Sequence, residues 1–238
     1  MKLTANLPEP EEFGFEIVTR PRPPAPGRPT QFQFSVLEPK SRRLVRDFEV
    51  VHERIFHLFV IAENLEFFAH EHPQQTRDGR FRFSMALPHP GGYRFVADCY
   101  PRGATPQFLV RTIYTAGARP AGLPALAADR RPKQADNLRV ELATEPAEPI
   151  AGKETLLFFR LSPGDGVEQY LGAWGHLLAA SHDLIDLMHD HPLYVTPGPQ
   201  IQFNAIFPRA VPYRVWVQFQ RLGVVNTVAF TLPVKALS

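Results

Sequence analysis

Residues 57–73 read HLFVIAENLEFFAHEHP, and residues 176–192 read HLLAASHDLIDLMHDHP. The two stretches align without a gap, and six of their 17 positions are identical. Both contain the motif His-x12-His-x-His-Pro. Similarity between two segments of one chain indicates that one structural unit occurs twice.

The similarity extends beyond the motif in both directions. Upstream, the strand-like run 30–37 corresponds to the run 155–161, and a turn containing Gly27 or Gly152 precedes each. Downstream, four positions recur after a one-residue shift: Phe83/Phe203, Pro88/Pro208, Tyr93/Tyr213 and Arg94/Arg214. The order of elements is shared over about 100 residues per copy, which predicts two copies of one domain.

Composition and patterning predict an all-β protein. The chain of 238 residues contains 25 prolines, 44% hydrophobic residues and many short alternating runs separated by turn residues. Proline ends strands and interrupts helices, so about seven strands per copy are expected. We predict two tandem immunoglobulin-like (cupredoxin-like) β-sandwich domains at residues 12–115 and 138–235. The Ala-, Pro- and Gly-rich segment 116–137 is predicted to be a linker.

Charge, hydropathy and cysteine content exclude several classes of protein. The net charge is +2 and the basic residues are dispersed, which does not indicate a nucleic-acid-binding surface. No apolar run is long enough to predict a transmembrane helix. The N-terminal residues lack an apolar signal core, so the sequence predicts no export signal. The single cysteine, Cys99, cannot form an internal disulfide.

The spacing of the three histidines predicts their geometry on a hairpin. We expect antiparallel strands at 57–61 and 66–72, joined by a two-residue turn at Glu63-Asn64 and, in the second copy, at His182-Asp183. This register places His57 directly across from His70, with His72 on the same face. The acids Glu71 and Asp190 are expected on the opposite face, and Pro73 and Pro192 are expected to end the second strand of each hairpin.

Three imidazoles so placed can converge on one metal ion. All-imidazole ligation suits Cu(II) or Zn(II). A blue-copper site is rejected because Cys99 is expected in the core, and core packing is also expected for Met85 and Met188. The alternative is that the histidines are structural and hydrogen-bond to one another or to carbonyl groups. The predicted metal ligands are His57, His70, His72, His176, His189 and His191.

Three histidines outside the motif and two repeated tyrosines are expected to have structural roles. His52, His89 and His182 have no counterpart in the other copy and are expected on the surface or in turns. Tyr93 and Tyr213 are similar in position to the corner tyrosine of immunoglobulin-type sandwiches.

The motif and the run PGGYRFVADCYP (90–101) resemble a family of exported bacterial tandem β-sandwich proteins related to YtkA-like and copper-resistance domains. The lead-in LGAWGH (171–176) strengthens the resemblance in the second copy, whereas 51–56 differs, so the copies are expected to differ in affinity or role. The resemblance implies an extracytoplasmic location, periplasmic or secreted, and an association with copper or other heavy metals.

The sequence therefore predicts a non-catalytic protein that binds copper or zinc ions. The alternative is a structural or adhesion-type interaction module. A zinc hydrolase is disfavoured because no Glu, Asp or Ser recurs on the histidine face to serve as base or nucleophile. The expected partners are a metal ion and another exported or membrane protein, and no nucleic acid.

Overall fold

A computed structural model describes residues 13–119, 122–193 and 198–237, and these are strands joined by turns and loops. The predicted domain start at residue 12 lies outside the described residues. The strands of the first copy are β1 (Gly14–Arg20), β2 (Pro29–Leu37), β3 (Phe56–Ala62), β4 (Phe68–Glu71), β5 (Gln74–Gln75), β6 (Phe81–Ala86), β7 (Gly92–Cys99) and β8 (Gln107–Tyr114).

The second copy repeats this order of strands. Its strands are β9 (Lys133–Gln134), β10 (Arg139–Glu145), β11 (Glu154–Ser162), β12 (Val167–Glu168), β13 (His176–Ser181), β14 (Leu187–Asp190), β15 (Gln200–Ile206), β16 (Tyr213–Arg221) and β17 (Val224–Leu232). When the three two-residue strands are set aside, the described part of each copy has seven strands. The prediction of about seven strands per copy is confirmed.

Each copy folds into two antiparallel sheets. In the first copy the strand orders are β1-β2-β6-β5 and β4-β3-β7-β8. In the second copy they are β15-β11-β10-β9 and β12-β16-β13-β14, with β17 also paired to β16. The predicted all-β class with two tandem immunoglobulin-like sandwiches is therefore correct.

The described part of the chain divides into two compact units, one formed by residues 13–62 and 69–119 and the other by residues 63–68, 122–193 and 198–237. The last part of the predicted linker 116–137 contains β9, which pairs with β10. That part consequently joins a sheet of the second sandwich. No helix in the described ranges has the length and hydropathy needed to cross a membrane.

The alternation of apolar residues along the strands builds each core. In β11 the buried side chains are Thr155, Leu157, Phe159 and Leu161, while the residues between them are exposed or half-buried. The phenyl rings of Phe56 and Phe81 stack in the first core with centroids 4.3 Å apart. Period-two patterning of this kind fixes which face of each strand points inward.

Strands β3 and β13 are buried along their whole length. On β13, Leu177 and Ala179 belong to the core cluster of the second sandwich, so His176 points to the opposite face of its sheet. On β3, the contact between Phe56 and Phe81 places His57 on the equivalent outer face. Each first histidine of the motif thus projects from the outer face of a central strand.

The hairpin that carries the motif has a longer turn than predicted. Ala180 pairs with Leu187, and the amide of Ser181 donates to the carbonyl of Asp186, which leaves a four-residue turn at 182–185. Leu184 in this turn has a φ of 56°, and its counterpart Leu65 has a φ of 60°. Both leucine side chains are buried, which explains why a β-turn position with positive φ holds leucine in both copies.

The predicted register of the hairpin is therefore wrong by two residues. His189 lies opposite Leu178, rather than opposite His176. In the first copy the ring of His70 stacks on Phe59, at a centroid distance of 4.4 Å. Because the shift is an even number of residues, every side chain stays on its predicted face.

Candidate metal centre

The three histidines of each copy come together in one cluster. Their ligand nitrogens all lie within 4.8 Å of one another in both copies. His57, His70 and His176 are buried, and the other three are half-buried. The six residues predicted as ligands are thus brought together as two groups of three, which could each hold a metal ion.

The first cluster has short distances between ring nitrogens. His57 Nδ1 lies 3.2 Å from His70 Nε2 and 3.2 Å from His72 Nε2. A tetrahedral ion with bonds of about 2.0–2.1 Å separates its ligand nitrogens by about 3.3–3.4 Å. The two distances from His57 Nδ1 are close to this separation, and all three ligand nitrogens lie within 4.8 Å of one another.

The second cluster repeats the arrangement. His191 Nε2 lies 2.9 Å from His176 Nδ1. The rings of His189 and His191 have centroids 4.5 Å apart, close to the 4.6 Å between the rings of His70 and His72. Two sequences that differ at most other positions therefore form similar clusters, although the rings of His176 and His189 lie 6.0 Å apart and those of His57 and His70 lie 5.4 Å apart.

A backbone carbonyl holds the other nitrogen of the first histidine in each copy. His57 Nε2 lies 3.0 Å from the carbonyl oxygen of Val51, and His176 Nε2 lies 2.7 Å from that of Tyr170. Since a carbonyl only accepts, each Nε2 carries the proton and donates it. Nδ1 is then left with its lone pair directed at the other two imidazoles, which is the arrangement of a metal ligand with a carbonyl partner.

The carbonyl belongs to a tight turn that occurs in both copies. Val51 pairs with Arg54, and Tyr170 pairs with Ala173. The two central residues of each turn have positive φ: His52 at 47°, Glu53 at 62°, Leu171 at 51° and Gly172 at 71°. The backbone of the turn is therefore the same although its sequence differs, and no side-chain pattern in the sequence indicates this contribution to the site.

The third histidine of each motif lies just beyond a strand. Strand β4 ends at Glu71 and β14 ends at Asp190, so His72 and His191 follow the last strand residue, each before the proline. The strands thus end one residue earlier than predicted. Burial raises the pKa of Glu71 and of Asp190, so the carboxyl groups that separate the paired histidines are less readily ionised than usual.

The cysteine, one methionine and the first corner tyrosine have the structural roles that the sequence predicts. Cys99 is buried, and burial raises the pKa of its thiol, so it is not a reactive thiolate. Met188 packs against the core cluster of the second sandwich. The hydroxyl of Tyr93 donates to the carbonyl of His89 and accepts from its amide, as expected of a corner tyrosine.

A family model described as a domain of unknown function (DUF8832) matches residues 13–112 and 133–236. No curated protein matches the chain in sequence.

Solved structures with similar chain traces include a two-domain fibronectin type III segment of chicken tenascin, at 8% identity and a TM-score of 0.27, covering 92% of this chain and 97% of that one. The adhesin FdeC of Escherichia coli has 11% identity and a TM-score of 0.30, and the match covers 95% of this chain and 66% of the adhesin chain. An α2-macroglobulin mutant of Salmonella has 12% identity and a TM-score of 0.30, and the match covers 95% of this chain and 15% of the macroglobulin chain. The chain thus spans only a small part of the α2-macroglobulin.

Proposed function

Because the chain belongs to the DUF8832 family through both of its domains, we propose that its function lies in the site that both domains share: each domain binds one transition-metal ion through its three histidines. The first ion is held by His57 Nδ1, His70 Nε2 and His72 Nε2. The second is held by the matching atoms of His176, His189 and His191. The protein is a non-catalytic carrier or store for copper or zinc.

The observation that carries this proposal is the orientation of His57. Its Nε2 donates to Val51, so a single in-plane lone pair on Nδ1 faces two other nitrogens, each 3.2 Å away. That lone pair can accept one well-aligned hydrogen bond, whereas a cation interacts with all three nitrogens at once. The alternative role of the histidines, as purely structural hydrogen-bonding groups, explains this geometry less completely.

The donor set points to zinc or copper. Three imidazoles without a thiolate suit Zn(II) and Cu(II). The apolar side chains beside the ligands, such as Phe59 against His70, shield the centre from water. The resemblance to copper-resistance domains supports copper and an extracytoplasmic location, which cell fractionation of the full native protein would test.

Calorimetric titration with Zn(II) and Cu(II) tests the proposal. We expect two ions per chain for the native protein and no tight binding for the double variant His70→Ala, His189→Ala. His89→Ala is the control, because His89 is exposed and its hydrogen bonds to Tyr93 use backbone atoms. If the native protein binds no ion and the double variant only loses stability, the histidines are structural and the chain is better described as an interaction module.

A further inference from the structure

The two proposed metal centres have equivalent ligands and equivalent carbonyl partners. They differ in the residue that lies beside the first histidine on the neighbouring strand. On the strand next to His57, the residue in register is Asp98 of β7. On the strand next to His176, the residue in register is Gln218 of β16. The first centre therefore has a carboxylate where the second has a neutral amide.

The register places these two side chains close to the ligands. Residues directly opposite each other in an antiparallel pair point to the same face, with Cβ atoms about 4.5–5.5 Å apart. Asp98 is half-buried and Gln218 is buried. Neither belongs to its ligand group of three histidines, so each is a neighbour of the centre and not a predicted ligand.

We propose that Asp98 makes the first centre the tighter site for divalent ions, and that Gln218 leaves the second centre weaker. This inference rests on the proposed function. Three neutral imidazoles leave the full double charge of a divalent ion uncompensated. A carboxylate near the ion attracts this charge, and the half-buried position of Asp98 makes the attraction stronger than it would be on the open surface. An amide at the same position offers only a dipole.

The same reasoning predicts a difference in selectivity. A negative charge stabilises a divalent ion about twice as much as it stabilises a monovalent ion at the same position. The first centre therefore discriminates more strongly for Zn(II) or Cu(II) over Cu(I) than the second does. Asp98 acts through the electric field at the ion, as a specificity-determining residue.

The test compares the centres one at a time, using Zn(II) as a redox-inert probe in competition with a chelator. His191→Ala leaves only the first centre intact, and His72→Ala leaves only the second. We expect the first centre to bind Zn(II) roughly tenfold more tightly. Asp98→Asn combined with His191→Ala should lower the Zn(II) affinity of the first centre to that of the second. Gln218→Glu combined with His72→Ala should raise the Zn(II) affinity of the second centre to that of the first.

Asp47→Asn is the matched control, because Asp47 is an exposed carboxylate of the same domain and the chemical change is the same. It should leave the affinity for Zn(II) unchanged. The effect of Asp98→Asn should also become smaller at high salt, since ions screen the attraction. Thermal unfolding in the presence of a chelator shows whether each variant is folded, and Gln218→Glu provides a second test in the other domain.

Two results would overturn the inference. If the native chain binds two Zn(II) ions but Asp98→Asn and Gln218→Glu change neither affinity, the charge of Asp98 has no role and the proposed function stands. If the native chain binds no Zn(II), the proposed function itself fails and this inference fails with it.

Discussion

His57 and His176 are each oriented by one hydrogen bond to a carbonyl group six residues earlier in the chain. This hydrogen bond decides which nitrogen carries the proton and which faces the other histidines. A histidine without such a partner can adopt either tautomer and rotate its ring. At the scale of single residues, the site therefore depends on the carbonyl groups of Val51 and Tyr170 as well as on the histidines.

The two corner tyrosines make different contacts at equivalent positions. The hydroxyl of Tyr93 bonds to backbone atoms of His89, whereas that of Tyr213 donates to Asp186 Oδ2 at 2.6 Å. Burial, and then the hydrogen bond to Asp186, raises the pKa of Tyr213. Arg209 Nε also donates to Asp186, at 2.8 Å, so Tyr213 belongs to a charged network.

Replacing these tyrosines with phenylalanine should separate the two environments. Tyr213→Phe should lower the free energy of unfolding of the second domain by about 1.5–3 kcal/mol, because it removes a hydrogen bond to a charged group. Tyr93→Phe should cost the first domain only about 0.5–1.5 kcal/mol. Urea unfolding of both variants measures the difference, and equal losses would contradict it.

At the scale of elements, the tight turn before β13 is the part of the fold that positions the first ligand. Gly172 occupies this turn with a φ of 71°, a conformation that a residue with a Cβ adopts only with strain. The counterpart Glu53 tolerates a φ of 62° in the first copy. The turn is retained in both copies, which is consistent with its carbonyl having a function.

Gly172→Ala should have two effects. It should destabilise the second domain by about 1 kcal/mol, because alanine is strained at positive φ. It should also weaken Zn(II) binding at the second centre by roughly tenfold, because the carbonyl of Tyr170 moves away from His176. Urea unfolding and Zn(II) titration in the His72→Ala background measure the two effects.

Gly223→Ala is the control for strain alone. Gly223 has a φ of 74° in the turn between β16 and β17, and a Cβ there meets no atom within 4 Å. Gly223→Ala should lower the free energy of unfolding of the second domain about as much as Gly172→Ala does, and it should leave the Zn(II) affinity unchanged. If both variants weaken Zn(II) binding equally, the turn at Gly172 has no specific role in the site.

At the scale of the whole molecule, each domain contains one cluster of three histidines, so under the proposed function metal removal should affect both domains. At a free Zn(II) concentration of about 100 times the dissociation constant, binding stabilises a domain by about 2.7 kcal/mol. For a domain of this size, that corresponds to a rise in Tm of roughly 10–20 °C. Calorimetric melting with and without a chelator measures the shift.

The double variant His72→Gln, His191→Gln distinguishes a metal from hydrogen bonding. Glutamine keeps an amide group near the former Nε2 position, so a purely structural hydrogen bond can persist. We expect the Tm of the variant to equal that of the native protein in chelator. Adding Zn(II) should not raise the Tm of the variant. A native-like rise with Zn(II) would show that these histidines are not ligands.

The repeat, the all-β class and the six clustered histidines were all predictable from the sequence. The physical reason is that the alternation of apolar residues has a period of two, which sets the inward face of each strand. His70 and His72 lie two residues apart, as do His189 and His191, and a register shift of two residues changes which residues lie opposite them without changing their face. Their common face was consequently predicted even though the register was wrong by two residues.

Only the tertiary structure decided how the hairpin is closed and what surrounds the ligands. Leu65 and Leu184 adopt positive φ because their buried side chains offset the local strain, and no turn propensity predicts this. The carbonyl groups of Val51 and Tyr170 carry no side-chain signal in the sequence. Asp98 and Gln218 reach their places through pairing of β3 with β7 and of β13 with β16, and such distant pairing depends on the packed fold.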